Sequence, residues 1–392
     1  MPPPAETQME PMFIRDEHSD MDSLRDLAWR LGQESASIAS PQLSEIQGAL
    51  AKLVRAMNCY YSNLIEGHNT LPIEIDRALK NQFEYDPGQR DLQEEAKAHI
   101  ELQRWIDEDD GLAEIGFGAA GVCEIHRRFY GALPHHLHFM RDSQTEQRIP
   151  IVPGAYRQRE VSVGRHIPVA PDDIDRCMNR WDDCYTNLPD WKLVLATATA
   201  HHRLVWIHPM LDGNGRVARL ITHAMLKKSM RGVNLWSVSR GFAQDRNRYK
   251  ALLASCDHPR RGDRDGRGQL SESSLVEFTR YLLETALDQV QFMTHTLRTD
   301  TFTRDFLGWV RSNDKLAKGD KLIEHVILYG PIERGSVPEV LGMPDRSARR
   351  VVNELSKSFL LESDSTKAPL RLNIPLHAAQ AVFPGMVPDN AG

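Results

Sequence analysis

From Pro41 to Glu66, apolar residues fall at Leu43, Ile46, Leu50, Leu53, Val54, Met57, Tyr61, Leu64 and Ile65. Steps of three and four place them on one face of a long helix, and so wide an apolar face must be buried against other helices. Ser40 before Pro41 reads as an N-cap with proline at the first helical position. The same periodicity predicts helices at about 72–81, 91–108, 118–131, 172–187, 190–206, 214–230, 245–255 and 271–295. The chain is therefore expected to be mainly α. With 392 residues, 41% of them hydrophobic, it can bury a large core in two or three domains.

Two segments interrupt the helices. "RIPIVPGAYRQREVSVGRHIPVAP", from Arg148, is rich in proline, glycine and β-branched residues and reads as a short β-hairpin or extended flap. A lone hairpin has unpaired edges, which aggregate, are covered, or accept a peptide strand. "HPRRGDRDGRGQ", 258–269, is charged and glycine-rich but lacks the Lys-Ser/Thr of a phosphate-binding P-loop, and is expected to be a mobile surface loop. Beyond Asp314, three short helical patterns precede two short strands around a turn, the layout of a winged helix-turn-helix. The expected domains are a partly flexible N-terminal extension (1–39), a helical region (40–110), a core (111–297), and a winged-helix domain with tail (298–392).

A formal charge of −6 argues against a dedicated nucleic-acid binder. Five cysteines without a CxxC pair give neither a disulfide scaffold nor a structural zinc site, and fit reduced thiols in a cytoplasmic protein. No stretch approaches the roughly 20 apolar residues that span a bilayer, and no secretory signal is expected at the proline-rich start.

The chemistry concentrates in "HPMLDGNGRVAR", residues 208–219. The apolar pattern after it (Val217, Leu220, Ile221, Ala224, Met225) starts a helix near Asn214, so the stretch is a tight turn into a helix N-terminus. Free backbone N–H groups and the positive dipole end make such a terminus an anion site. Gly213 and Gly215 let a ligand approach the backbone. Arg216 and Arg219, three apart, reach over the same entrance and suit a di- or triphosphate. Asp212 beside this nest suits Mg²⁺ shared with phosphates, and a neutral His208 could take a proton from an incoming hydroxyl. The alternative is a glycine turn with a solvated helix start, but seven special residues in one constellation weigh against it.

The segment resembles the Fic family motif HxFx(D/E)GNGRxxR, matched by His208, Asp212, Gly213, Asn214, Gly215, Arg216 and Arg219, with Met210 where phenylalanine is usual. The resemblance implies a helical Fic core over roughly residues 40–295 and transfer of AMP from ATP to a Ser, Thr or Tyr hydroxyl of a target protein. It implies His208 as base and Asp212 as Mg²⁺ ligand. It also implies that Gly213, Asn214 and Gly215 bind the α- and β-phosphates, Arg216 the β-phosphate and Arg219 the γ-phosphate. Met210 would serve as an apolar anchor.

"YYSNLIEGHNT", 60–70, ends the long helix, with Ser62 and Glu66 on one face and Gly67 as C-cap. A glutamate there is unfavourable for the helix dipole and gains from a cationic partner. The stretch resembles the inhibitory motif [S/T]xxxE[G/N] of the same family, which implies an N-terminal inhibitory helix whose Glu66 pairs with Arg219 and excludes the γ-phosphate. In relatives this glutamate also orients a water that removes AMP, so the resemblance leaves the reverse reaction open.

Tyr249 lies where relatives line the adenine pocket with an aromatic residue, and reads equally as a core tyrosine. The flap residues Tyr156, Val161, Ser162, Val163 and Gly164 resemble the family's target clamp. His135, His136 and His138 lack the carboxylate or cysteine of a metal set, and His201 and His202 read as packing or orienting groups. Arg346, Arg349 and Arg350 share a helix face with Lys357 beyond. The charge excess is modest, so protein docking or self-association as a homodimer is preferred to DNA binding. The competing reading of the whole is a DNA-binding or adaptor protein whose Fic core senses nucleotide; an intact His208 favours an enzyme.

Overall fold

A computed structural model describes residues 4–39, 45–108, 111–142, 145–297 and 299–386. Two helices lead: α1 (Ala5–Gln8) and α2 (Met21–Ile38). They are followed by α3 (Gln47–Glu66), α4 (Pro72–Ala78), α5 (Pro87–Glu108), α6 (Gly111–Ile115) and α7 (Ala119–Gly131). Strands β1 (Phe139–Arg141) and β2 (Arg148–Pro150) pair antiparallel, Met140 opposite Ile149. The centre follows with α8 (Ile174–Tyr185), α9 (Asp190–Ile207), α10 (Asn214–Ser229), α11 (Val238–Gln244), α12 (Arg246–Ser255) and α13 (Glu272–Thr296).

The chain then continues through α14 (Thr299–Ser312), α15 (Asp320–Tyr329), α16 (Val337–Leu341) and α17 (Asp345–Lys357). A second antiparallel pair, β3 (Leu361–Glu362) with β4 (Arg371–Leu372), carries a bridge from Leu370 to Ile332, and α18 (Leu376–Val382) closes the described chain. The protein is mainly helical with small hairpins, as its periodicity predicts.

Two hydrophobic clusters form the interior. One runs from α2 and α3 through α11 and α13 to the C-terminal helices. The other gathers α5, α7, α8, α9 and α10. α9 and α10 pack along each other and contribute to both, and Met210 and Leu211 seat the turn joining them, 208–213, on the second cluster.

Several expectations are corrected. Residues 4–39 are no loose extension: Met9, Met12, Leu24 and Leu31 are buried, and α2 lies along α13. The Ser40–Pro41 cap lies outside the described residues, and α3 is described from Gln47. The hairpin is formed by 139–150, earlier than expected; 151–170 is irregular apart from a turn closed by Val163 and His166. Loop 258–269 is pinned rather than mobile: Pro259 bridges Leu270, and the buried Asp265 carboxylate accepts from the N–H groups of Arg261 and Ser273. The C-terminal segment shares a core with the rest, and Phe383 stacks on Phe302 at 5.4 Å. Around α18, Asp76 of α4 accepts from the backbone N–H groups of Leu376 and His377, and Tyr61 of α3 donates to the Met386 carbonyl at 2.8 Å.

Five buried or half-buried histidines make this core acid-sensitive. Burial pushes His99 and His201 down to about 3, and His126, His202 and His208 down to about 4. Their folded pKa values lie below the unfolded one, so the unfolded chain binds more protons between about pH 6.5 and 4. Stability is full above 6.5 and falls across that window. The melting temperature is expected to drop by roughly 10 °C or more from pH 7 to pH 5. A flat profile by calorimetry over that range would show these rings to be solvated.

Candidate active site

α9 ends where His208 takes a left-handed backbone (φ 50°, ψ 58°) while its N–H still bonds the Leu204 carbonyl. A non-glycine residue holds that conformation only under constraint. Arg157, buried under the flap, supplies it. Its Nε donates to the His208 carbonyl at 2.8 Å, its other nitrogens donate to the carbonyls of Arg159 and Val169, and its own N–H bonds the Pro209 carbonyl. Met210, fully buried, anchors the middle of the turn.

The Asn214 side chain closes the turn, accepting from the Met210 N–H and donating to the Met210 carbonyl, both at 2.9 Å. Both ends of the side-chain amide are thus engaged within the turn, so it is the Asn214 backbone N–H, at the start of α10, that is left to face a ligand. Gly213, at φ 77°, lies flat on Tyr130, whose ring a Cβ would meet at 3.2 Å. The backbone can then enter α10 with its first N–H groups free of side chains.

His208 is half-buried. Burial, then the nearby Arg157 cation, push its pKa down to about 4, and its Nδ1 is buried without a partner. At neutral pH it is an uncharged imidazole able to accept a proton. Asp212, exposed beside it, accepts from the Tyr130 hydroxyl at 2.8 Å. Burial, then the Asp212 charge, raise the Tyr130 pKa, so the phenol stays a donor. His126 beneath accepts the Gly154 N–H on Nδ1, tying the flap to α7. Among the described residues no group of three or more His, Cys, Asp or Glu converges as a metal site. A single carboxylate next to a phosphate nest nonetheless fits Mg²⁺, which takes one or two protein carboxylates and fills its shell from phosphates and water.

The two arginines are both buried and held differently. Arg219 donates from Nε to Ser62 Oγ at 2.9 Å, and from Nη2 to the Ser62 carbonyl and to Glu66 Oε1 at 2.5 Å. The Glu66 carboxylate lies over the first turn of α10, where a Cβ on Gly215 would collide with it. Burial works to raise its pKa, but Arg219 foremost, then Arg216, hold it below the usual range, so it stays ionised. It occupies the kind of place an anionic ligand takes at a helix N-terminus. Gly67 (φ 94°) ends α3 immediately after it, with the N–H of His68 on the Asn63 carbonyl, so the helix stops with Glu66 aimed across. Arg216 donates to Glu95 at 2.6 Å and lies 3.0 Å from His68 Nδ1.

The site thus joins His208, Asp212, Gly213, Gly215, Arg216, Arg219, Ser62, Glu66 and Gly67. Tyr249 is 3% exposed, stacks on Phe242 at 4.5 Å and shares a hydrogen bond with His201, with its hydroxyl near enough to Arg219 and Glu66 to feel both charges. Tyr156 packs half-buried beside Cys123, while Ser162, Val163 and Gly164 are exposed and Val161 partly so. Between β2 and this flap is an open cleft lined by Arg148, Ile149, Tyr156, Arg159 and Leu211. His136 pairs with Asp91 and His138 bonds the Leu133 carbonyl. His202 bonds Asp257, and His201 bonds Thr222. Arg349 pairs with Asp345 along α17. Sequence reasoning missed Arg157, Tyr130, Glu95 and His68. Of these only Arg157 gave a local signal, as the basic residue embedded in the flap.

Residues 117–226 match the Fic/DOC family. The chain is 30% identical over 208 residues to a protein adenylyltransferase Fic of Nematostella vectensis, across 51% of this chain and 42% of that one. To the Drosophila willistoni protein of the same name it is 28% identical over 195 residues, across 48% of this chain and 36% of that one. The matched region spans less than half of these relatives. A Fic family protein from Desulfovibrio desulfuricans superposes with a TM-score of 0.52 at 16% identity, covering 90% of this chain and 96% of that one. Fic-1 of Caenorhabditis elegans superposes with a TM-score of 0.52 at 20% identity, covering 71% of this chain and 74% of that one. At those identities the likeness concerns the fold alone. Residues 117–226 therefore carry a Fic/DOC-type domain, built around α9 and α10. Among the described residues no helix is long and apolar enough to cross a membrane.

Proposed function

We propose that the protein is an adenylyltransferase that moves AMP from ATP to a hydroxyl of a target protein, and that Glu66 holds it inactive. The observation that carries the reading is the Glu66–Arg219 ion pair lying over the N-terminus of α10, where a carboxylate stands in the place suited to a phosphate. A constellation built only for packing has no use for two buried cations under an anion nest with a neutral histidine beside it.

The backbone at Gly213–Gly215 binds the α- and β-phosphates, Arg216 contacts the β-phosphate, and Arg219 takes the γ-phosphate once Glu66 leaves. Asp212, oriented by Tyr130, would hold Mg²⁺, which supplies charge neutralisation on the phosphates when bound. His208 accepts the proton of the incoming hydroxyl as that oxygen bonds to the α-phosphorus and pyrophosphate departs. Phosphoryl-type transfer asks mainly for positioning and charge stabilisation. The target lies along the exposed stretch Val161–Gly164, next to the cleft, and adds a strand there. The C-terminal segment, expected over 298–392, serves as a winged-helix unit for docking rather than DNA binding, since the charge excess on α17 is modest and Arg349 there already pairs with Asp345.

The test uses ATP labelled at the α- or the γ-phosphate, with and without Mg²⁺, on the Glu66→Gly protein in a cell lysate. Protein-bound label that follows the α-phosphate and needs the metal supports the reading. Label from the γ-phosphate means phosphorylation. Absence of either label together with salt-dependent retention of duplex DNA returns the nucleotide-sensing regulator.

A further inference from the structure

The two motif arginines differ in how much of each guanidinium is spent. Arg219 is bound through Nε and Nη2 by Ser62 and Glu66, on the side a phosphate needs. Arg216 is bound through Nη2 alone, which donates to Glu95 Oε2 at 2.6 Å; His68, with Nδ1–H donating to the same carboxylate at 3.0 Å, lies 3.0 Å from Nη2 without accepting from it. The Arg216 Nε is buried and has no partner. The guanidinium carbon sits 5.2 Å from the Phe129 ring, which supports one side. A cation this buried needs a counter-charge to stay in place. Burial raises the Glu95 pKa, but the His68 hydrogen bond and Arg216 bring it below the usual range, so the counter-charge is present at neutral pH.

We propose that Glu95, aided by His68, is a positioning residue that holds Arg216 from behind with its unbonded N–H groups turned to the nucleotide β-phosphate. The proposal rests on the ATP reading of the site. Glu95 comes from α5, a different element from the helix that carries Glu66, so the two carboxylates act separately. Glu66 competes with the nucleotide for Arg219, whereas Glu95 remains in place while Arg216 binds it. Directing a fork of donors before the ligand arrives lowers the ordering cost of binding. The gain is confined to nucleotides that carry a β-phosphate, which AMP lacks.

The test measures Mg²⁺-dependent binding of AMP, ADP and ATP by calorimetry in Glu66→Gly and in Glu66→Gly/Glu95→Ala, together with kcat and KM for ATP. The double variant is expected to bind ADP and ATP about tenfold more weakly, the effect of losing one charge-assisted hydrogen bond, with AMP affinity unchanged. The KM for ATP should rise while kcat holds within about threefold. Glu66→Gly/Glu95→Gln keeps an acceptor and should recover most of the affinity. His68→Ala, at a side chain a third exposed, gives a smaller effect of the same kind where Glu95→Ala folds poorly.

An equal weakening for AMP, or tighter ATP binding on removing Glu95, overturns the proposal; the second result would make Glu95 another lock. Were Glu66→Gly itself to bind none of the three nucleotides, the ATP reading would be the one that failed, and this inference with it.

Discussion

Glu66→Gly is expected to raise target and self-labelling from α-labelled ATP by roughly 10- to 100-fold, the range of a coupling worth about 1–3 kcal/mol. The carboxylate and the γ-phosphate want the same guanidinium, and Glu66 is tethered only 153 residues away within a packed core, so it competes as an intramolecular ligand. Removing it leaves the Arg219 Nη2 with only the 3.3 Å bond to the Ser62 carbonyl, while Ser62 Oγ still orients Nε. Clearing the space over Gly215 also opens the helix N-terminus to phosphate oxygens. Glu66→Gln keeps the bulk and loses the charge, and should give an intermediate gain. Adding Arg219→Ala to Glu66→Gly should abolish most of the increase, since the freed cation is then missing; two effects that simply multiplied would show that Glu66 acts elsewhere. Equal labelling by Glu66→Gly and the unchanged protein would end the autoinhibition reading. Glycine in the last turn of α3 also costs about 1 kcal/mol of helix propensity, so a small drop in melting temperature is expected alongside the gain.

How much of this is legible in the sequence depends on the range over which each residue acts. The buried face of α3 and the turn into α10 are local patterns, and both the periodicity and the 208–219 constellation give them away. The ion pair on Arg219 joins residues 62–66 to 219, and only the resemblance to a known inhibitory motif points to it. Glu95 and His68 have no such pattern: a glutamate on an amphipathic helix looks solvated until α5 is folded against α10. Tyr130 reads as an ordinary core aromatic until its hydroxyl is found on Asp212.

The Asn214 side chain misleads because it stands in a turn suited to anions, although an asparagine at a turn entering a helix commonly bonds nearby backbone, as it does here with Met210. The hairpin lies earlier than its composition suggests because β1 has three residues, too few for alternation to show. The β-branched run after β2 has the composition of a strand without the partner. α2 carries a clear spacing at Met21, Leu24, Ala28, Leu31 and Ile38, obscured by the proline-rich residues before it.

The largest loss is expected at His208. Replacing it in the Glu66→Gly background should reduce labelling by about 10²- to 10⁴-fold, the usual contribution of a positioned general base, with ATP affinity unchanged. The residue is ready for that role in the free protein: burial and Arg157 keep the ring neutral, and the left-handed backbone at the end of α9 sets it at the head of the anion nest. The backbone also dictates the choice of variant. His208→Ala puts a residue with no taste for that conformation at φ 50°, so reduced activity could reflect a shifted turn. His208→Asn tolerates it and still has no basic nitrogen, so the two together separate chemistry from geometry. Both should lose activity alike while binding ATP as before. The pH profile gives a second reading: with a pKa of about 4, kcat/KM for Glu66→Gly should stay level from pH 8 to about 5.5. An inflection near 6.5 would mean a solvated imidazole, and full activity in His208→Asn would remove the histidine from the reaction and leave the anion nest with a binding role alone.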